Sequence, residues 1–132
     1  MYATNLGDIL YVTTLHALAA VAADADGTAL DISDYDGEIA IILVNDAGSQ
    51  GGGSVDRTLA VKVKECATSG GSYTDATGGG FTSLAVTAGT QKISLNSDEL
   101  QKFIKINFDI SGANSPTYNV TALVVGAKKN PA

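Results

Sequence analysis

One histidine, one cysteine and fourteen carboxylates are the side chains from which acid–base, nucleophilic or metal chemistry would be built in this chain. His16 lies among Thr14, Leu15 and Ala17, and a single imidazole cannot form a histidine-based metal cluster. Cys66 ends the run Lys62-Val-Lys-Glu-Cys66; alone, it excludes an intrachain disulfide framework and a cysteine-based metal site. A surface or packing role is expected for His16, and that of an ordinary strand thiol for Cys66. A Ser-His-Asp arrangement is formally available, but the Gly-x-Ser-x-Gly elbow is absent. Gly51-Gly-Gly53 and Gly78-Gly-Gly80 lack the following Lys-Ser/Thr and helix of a phosphate loop. Asp24, Asp26, Asp31, Asp34, Asp36 and Glu38 form an acidic stretch that could supply oxygens to Ca²⁺. With Gly37 in the glycine position of an EF-hand, however, the first ligand would be Ile32 and the last Leu43. Asp also favours turns through local hydrogen bonds, which is the role expected here. Asn119-Val-Thr121 matches a glycosylation acceptor but falls within an expected strand. No catalytic residue, cofactor or metal site is expected, and the chain is not expected to be an enzyme.

Residues 39–44 (Ile-Ala-Ile-Ile-Leu-Val) are the element around which the rest is organised. The run is too short for a membrane span, and its β-branched content and glycine boundaries favour a strand. Ile39, Ile41 and Leu43 would line one face, and Ala40, Ile42 and Val44 the other. Both faces are apolar, so both are expected to be covered. Residues 58–66 alternate, with Leu59, Val61 and Val63 inward and Lys62 and Lys64 outward. In residues 102–110, Ile104, Ile106, Phe108 and Ile110 point one way. Residues 118–127 are apolar on both faces: Tyr118, Val120, Ala122 and Val124 share one, Leu123 and Val125 the other. Strands are also expected at residues 8–15, 28–32, 81–87 and 90–95. Residues 17–23 are Ala-rich and read as one or two helical turns, and residues 96–101 as a brief helical turn capped by Ser97. Residues 48–54 and 68–80 read as Gly-rich flexible loops.

At 132 residues the chain is expected to be one domain with a real core. Its 45% apolar and 17% charged content is not that of a disordered chain, and fifteen glycines among many Thr, Val, Ile and Ser indicate an all-β fold. About eight short strands predict an antiparallel β-sandwich or jelly roll with an extended N-terminal arm. The expected division is arm and first strand over residues 1–27, sandwich over 28–127 and a polar tail over 128–132. A net charge of −6 and a pI near 4.4 argue against a nucleic-acid partner. Residues 9–23 could be mistaken for a signal peptide, but no Lys or Arg precedes Arg57, and Thr13, Thr14 and His16 interrupt the apolar run. A protein that folds in a cytoplasm without export is expected, with no membrane partner.

Three stretches then carry a resemblance. Leu59-Ala-Val-Lys-Val-Lys-Glu-Cys66 is followed by Gly70-Gly-Ser-Tyr-Thr-Asp-Ala76. Lys102-Phe-Ile-Lys-Ile-Asn-Phe108, a glycine turn and residues 118–126 form a final pair of strands. Ala29-Leu-Asp-Ile-Ser-Asp-Tyr-Asp-Gly37 precedes the central strand. Over residues 28–127 this pattern resembles small head decoration, or cement, proteins of tailed bacteriophages. The resemblance implies a β-sandwich that coats the outer surface of a phage head, binds the major capsid protein and forms a homo-oligomer, with a trimer favoured. Outward residues and the arm suggest the interface: Tyr2, Leu6, Ile9, Leu10, Leu123 and Val125, with contributions from the loops at 48–54 and 70–80. A carbohydrate-binding or adhesin-like sandwich, weakened by the absence of Trp, and a head–tail connector or tail protein are the alternatives.

Overall fold

The computed structural model describes residues 10–53 and 55–128. Nine strands are formed: β1 (Leu10–Val21), β2 (Ala25–Asp26), β3 (Leu30–Asp31), β4 (Tyr35–Asn45), β5 (Thr58–Cys66), β6 (Thr74–Gly80), β7 (Gly89–Asn96), β8 (Phe103–Ser111) and β9 (Tyr118–Lys128). They make two antiparallel sheets, ordered β1-β9-β4-β7 and β2-β8-β5-β6, with β3 also paired to β8. The ladders are nested: β1 pairs β9, β2 and β3 pair β8, β4 pairs β7 and β5 pairs β6. With β2 and β3 taken as one interrupted strand, this is a long hairpin rolled into two four-stranded sheets, the winding of a jelly roll. The all-β sandwich expected from the sequence is the fold.

The core lies between the sheets and is built from the alternation that the sequence shows. Ile39, Ile41 and Leu43 of β4, Leu59, Val61 and Val63 of β5, and Ile104, Ile106 and Phe108 of β8 are all buried. Tyr118, Val120, Ala122 and Val124 of β9, beside β4, are buried on the same inner face. β4 lies between β9 and β7, an interior position that suits its apolar run.

Five local expectations are corrected. Residues 17–21 continue β1 as strand, and no described residue is helical. Seven residues of Ala-rich sequence cannot hold a helix alone, whereas Ala19, Ala20 and Val21 gain a ladder with Val120, Asn119 and Tyr118. The strand accommodates the mismatch through register shifts on either side of His16. Asn96 ends β7 and residues 97–100 turn without forming a helix: the Asp98 N–H donates to Asn96 Oδ1 (3.0 Å), and Ser97 donates its hydroxyl to the Gly37 carbonyl (2.6 Å) rather than capping a helix. Residues 74–80 form β6, although only Ala76 and Gly79 within it are buried. Residues 81–87 are an irregular connection touching β5 through a Leu59–Leu84 bridge. The loop at 48–53 is fastened rather than loose. Gly51 donates its N–H to the Asn114 carbonyl (2.8 Å), Ser49 bridges Thr117, and the Gln50 amide donates to Asp56 and to the Ala113 carbonyl.

Candidate functional site: the outer face of the four-stranded sheet

The strand order brings separated apolar residues to one surface. On the side of the β1-β9-β4-β7 sheet away from the core, Val12 lies opposite Val125, and Val125 opposite Ala40. The next row joins Thr14, Leu123 and Ile42. Val44 follows opposite Thr121, and Leu10 opposite Ala127. Leu10, Val12 and Val44 are 37%, 55% and 38% exposed, while Leu123, Val125, Ala40 and Ile42 are half-buried. A contiguous apolar patch with a polar rim has the character of surfaces that take part in binding. Its rim is polar, with Lys92 opposite Ile42 and Ser94 opposite Ala40 on β7.

Leu10, Leu123 and Val125 are therefore brought together as expected. Tyr2, Leu6 and Ile9 lie outside the described residues. Val12, Ile42 and Val44 belong to the patch although sequence reasoning placed the last two on a covered face of a central strand. The signal was present in the two-sided apolar run at residues 39–44, read as double burial instead of as one buried and one presented face.

The opposite outer face, of the β2-β8-β5-β6 sheet, is charged. Lys62 pairs with Asp75 (3.1 Å), Lys105 with Asp26 (3.1 Å), and the Lys105 ammonium lies 4.1 Å from the Tyr73 ring centroid. Such exposed pairs add little stability but keep a face hydrated. The domain is thus sided, with one apolar and one ionic face. A shallow cleft of about 260 Å³ lies on the ionic face, floored by Ala60 and Gly80 and walled by Lys62, Phe81, Asn107 and Asp109.

The carboxylates of the acidic stretch hold turns. Asp24 accepts the Ile110 N–H (2.8 Å), and Asp31 accepts the Ser33 N–H (2.8 Å). The Asn107 amide and the Lys105 ammonium hold Asp26 below the usual carboxylate range. Among the described residues, no three His, Cys, Asp or Glu side chains gather as a metal site. Cys66 is buried, with its sulfur 3.9 Å from the Thr68 hydroxyl.

His16 packs edge-on against Phe108, ring centroids 4.8 Å apart, and its buried Nε2 has no hydrogen-bond partner among the described residues. Burial lowers its pKa from 6.5, because the cation would be desolvated. The unfolded chain therefore binds a proton more readily than the folded one. Stability conferred by neutral His16 is fully present above pH 6.5 and is lost as pH falls from there through the lower folded pKa. The melting temperature should decline between about pH 6.5 and pH 5, above the range where carboxylates protonate. A His16→Phe variant should melt at a constant temperature across that window; a wild-type profile as flat as the variant's would remove the effect.

No family model matches the sequence, and no curated protein sequence matches it. Solved structures do match. The SPBc2 prophage-derived protein YomS superposes with a TM-score of 0.50 at 13% identity, over 89% of this chain and 93% of that one. The VP2 subviral particle of infectious bursal disease virus gives 0.52 at 12% identity, and the virus of the Gx strain 0.52 at 17%. Each covers 92% of this chain, which spans 33% of those viral chains. At these identities the likeness is one of fold.

Proposed function

We propose that this chain is a structural virion protein that decorates the outer surface of a tailed-phage head, binding the major capsid protein through the outer face of its four-stranded sheet. The observation that carries the reading is the apolar patch around Val12, Leu123, Val125 and Ile42, set on a domain whose other face is ionic. The jelly-roll winding, which viral capsid domains use, and the fold likeness to a prophage protein and a viral particle protein support it. The acidic charge suits a position outside the shell better than one against packaged DNA. A protein that binds only the assembled shell stabilises it by mass action, and many copies sum modest terms against internal pressure. The chain would be made in the host cytoplasm and act as a homo-oligomer on the particle.

The test uses heads stripped of the protein. Wild-type chain added back should raise the temperature at which they lose DNA. Val125→Glu places a carboxylate in the middle of the patch, where half-burial spares the core. The variant should melt within a few degrees of wild type yet bind stripped heads about a hundredfold more weakly, through a desolvated charge at the interface. Unchanged binding would sink this face as the attachment surface.

The cleft beside Phe81 favours a second reading, a carbohydrate-binding head fibre or adhesin, because an aromatic edge flanked by Lys62, Asn107 and Asp109 is suited to sugar hydroxyls. That reading wins if stripped heads keep their heat resistance and instead fail to attach to cells.

A further inference from the structure

We infer that β1 is a self-pairing edge, and that two copies of this chain join antiparallel through residues 10–14 about a two-fold axis at Val12. The inference stands on the isolated domain and does not rest on the virion reading.

A sheet edge is an unfinished ladder, and proteins blunt such edges with charge, shortness, bulges or a covering segment. Three of the four edges here are blunted. The β2 and β3 pieces are two residues each and carry Asp26 and Asp31. β6 carries Asp75, shifts register against β5 and ends in three glycines. β7 carries Lys92, and Gln91 accepts the Thr82 N–H and donates to the Thr82 carbonyl (2.9 Å each), tying the 81–84 connection beside it. Among the described residues β1 has none of these over its first half. Its twelve residues hold no Asp, Glu, Lys, Arg or Pro, on a chain with net charge −6. Among the described residues no strand lies on its outer side.

The register of β1 against β9 is unbroken from Leu10 to Thr14 and shifts only around His16. The regular stretch is therefore the part able to extend a ladder, and the bulged part turns away from it. Among the described strand edges β1 is the open one, so in self-association through an edge its mate is β1 of another copy. That contact is isologous and closes at two chains. Centred on Val12, it sets Leu10 opposite Thr14 of the second copy and Val12 opposite its counterpart. The apolar row Ala40, Val125, Val12 would then run unbroken across both copies. Val12, at 55% exposed, gains a second β-branched cross-strand neighbour, on the side away from Val125. The pairing favours a two-fold dimer over the trimer that the resemblance implies.

Sedimentation of the purified full-length chain is the first measurement, with a dimer expected that dissociates on dilution. Val12→Lys opposes two like charges across the axis and should weaken self-association about a hundredfold, with a melting temperature equal to wild type at dilutions where both are monomeric. The second measurement is disulfide trapping. Antiparallel neighbours lie within the Cα separation that a disulfide spans. Val12→Cys should cross-link rapidly under mild oxidant, and Leu18→Cys, 73% exposed but in the bulged half, should not. A monomer at every concentration up to about 1 mM would overturn the pairing. So would a trimer, or equal cross-linking at both positions.

Discussion

Ile106→Asp is expected to abolish folding. Ile106 is fully buried between the sheets, opposite Val63 on β5, and its carbonyl accepts the Gly27 N–H (2.8 Å). A Cβ at Gly27 would come within 2.7 Å of Ile106 Cγ2, so the side chain packs closely against that backbone. The introduced carboxyl would lie among apolar groups without a hydrogen-bond partner and would have to be buried charged or take up a proton. Either course, added to the lost packing, costs about 4 kcal/mol or more, against a total stability of about 5–15 kcal/mol for domains of this kind. Far-ultraviolet circular dichroism and a thermal scan should show no cooperative transition. Ile106→Val, which removes one methylene, should melt cooperatively at a cost of about 1 kcal/mol. A soluble Ile106→Asp protein with a sharp transition would mean that the inward face of β8 has been assigned to the wrong side.

Gly126→Val is expected to destabilise the domain strongly. Gly126 lies in β9 between Tyr11 on β1 and the bulge of β4 that follows Asp36. The Tyr35 ring lies over it: a Cβ at residue 126 would be 2.8 Å from Tyr35 Cδ1 and 2.8 Å from Ile39 Cγ2. Tyr35 is fixed there by its hydroxyl, which donates to the Val124 carbonyl (3.2 Å), and by the Tyr11 ring at 5.0 Å. Its buried hydroxyl accordingly has a raised pKa through desolvation. The extra side chain must displace an aromatic ring held at both ends, an overpacking cost of about 2 kcal/mol. The melting temperature should fall by about 5–10 °C. Combining it with Tyr35→Leu should cost less than the sum of the two single changes, because the ring and the new side chain compete for one space. Strict additivity would show that the glycine serves another purpose.

What the sequence made legible follows from period and partner. β4, β5, β8 and β9 could be read because each has a strictly alternating apolar face that requires no knowledge of its neighbours. β6 could not: Thr74, Asp75, Thr77 and three glycines show no apolar face, and the segment is a strand because Thr74 and Asp75 pair with Glu65 and Lys64. The Ala-rich half of β1 carries a helical propensity that its pairing with β9 overrides. Phe81, Leu84 and Val86 read as a strand, yet only Leu84 finds a bridge. The patch was half legible. Leu123 and Val125 could be picked out as a second apolar face on β9. Joining them to Val12 and Ile42 requires the order β1-β9-β4, which is set by pairings between residues distant in sequence, such as Leu10 with Ala127 and Ile42 with Leu123, and leaves no local trace. The His16 environment was invisible for the same reason, since Phe108 comes from the far end of the chain.

The nesting of the ladders also has a meaning in time. The innermost pair, β5 with β6, closes a connection from Cys66 to Thr74, whereas the outermost, β1 with β9, joins Leu10 to Ala127. Loop-closure entropy makes the inner pair early and the outer pair late. On the ribosome, β1 emerges first of the nine strands and waits for the one made last. Throughout synthesis its uncharged backbone has no ladder partner, and β4, too, lacks β9 on one side. The four-stranded sheet is therefore completed only after translation has passed residue 128, and folding belongs to the slow, non-local regime of milliseconds to seconds. During that interval the nascent chain depends on being shielded from its own copies, which on a crowded polysome are translating the same strand nearby.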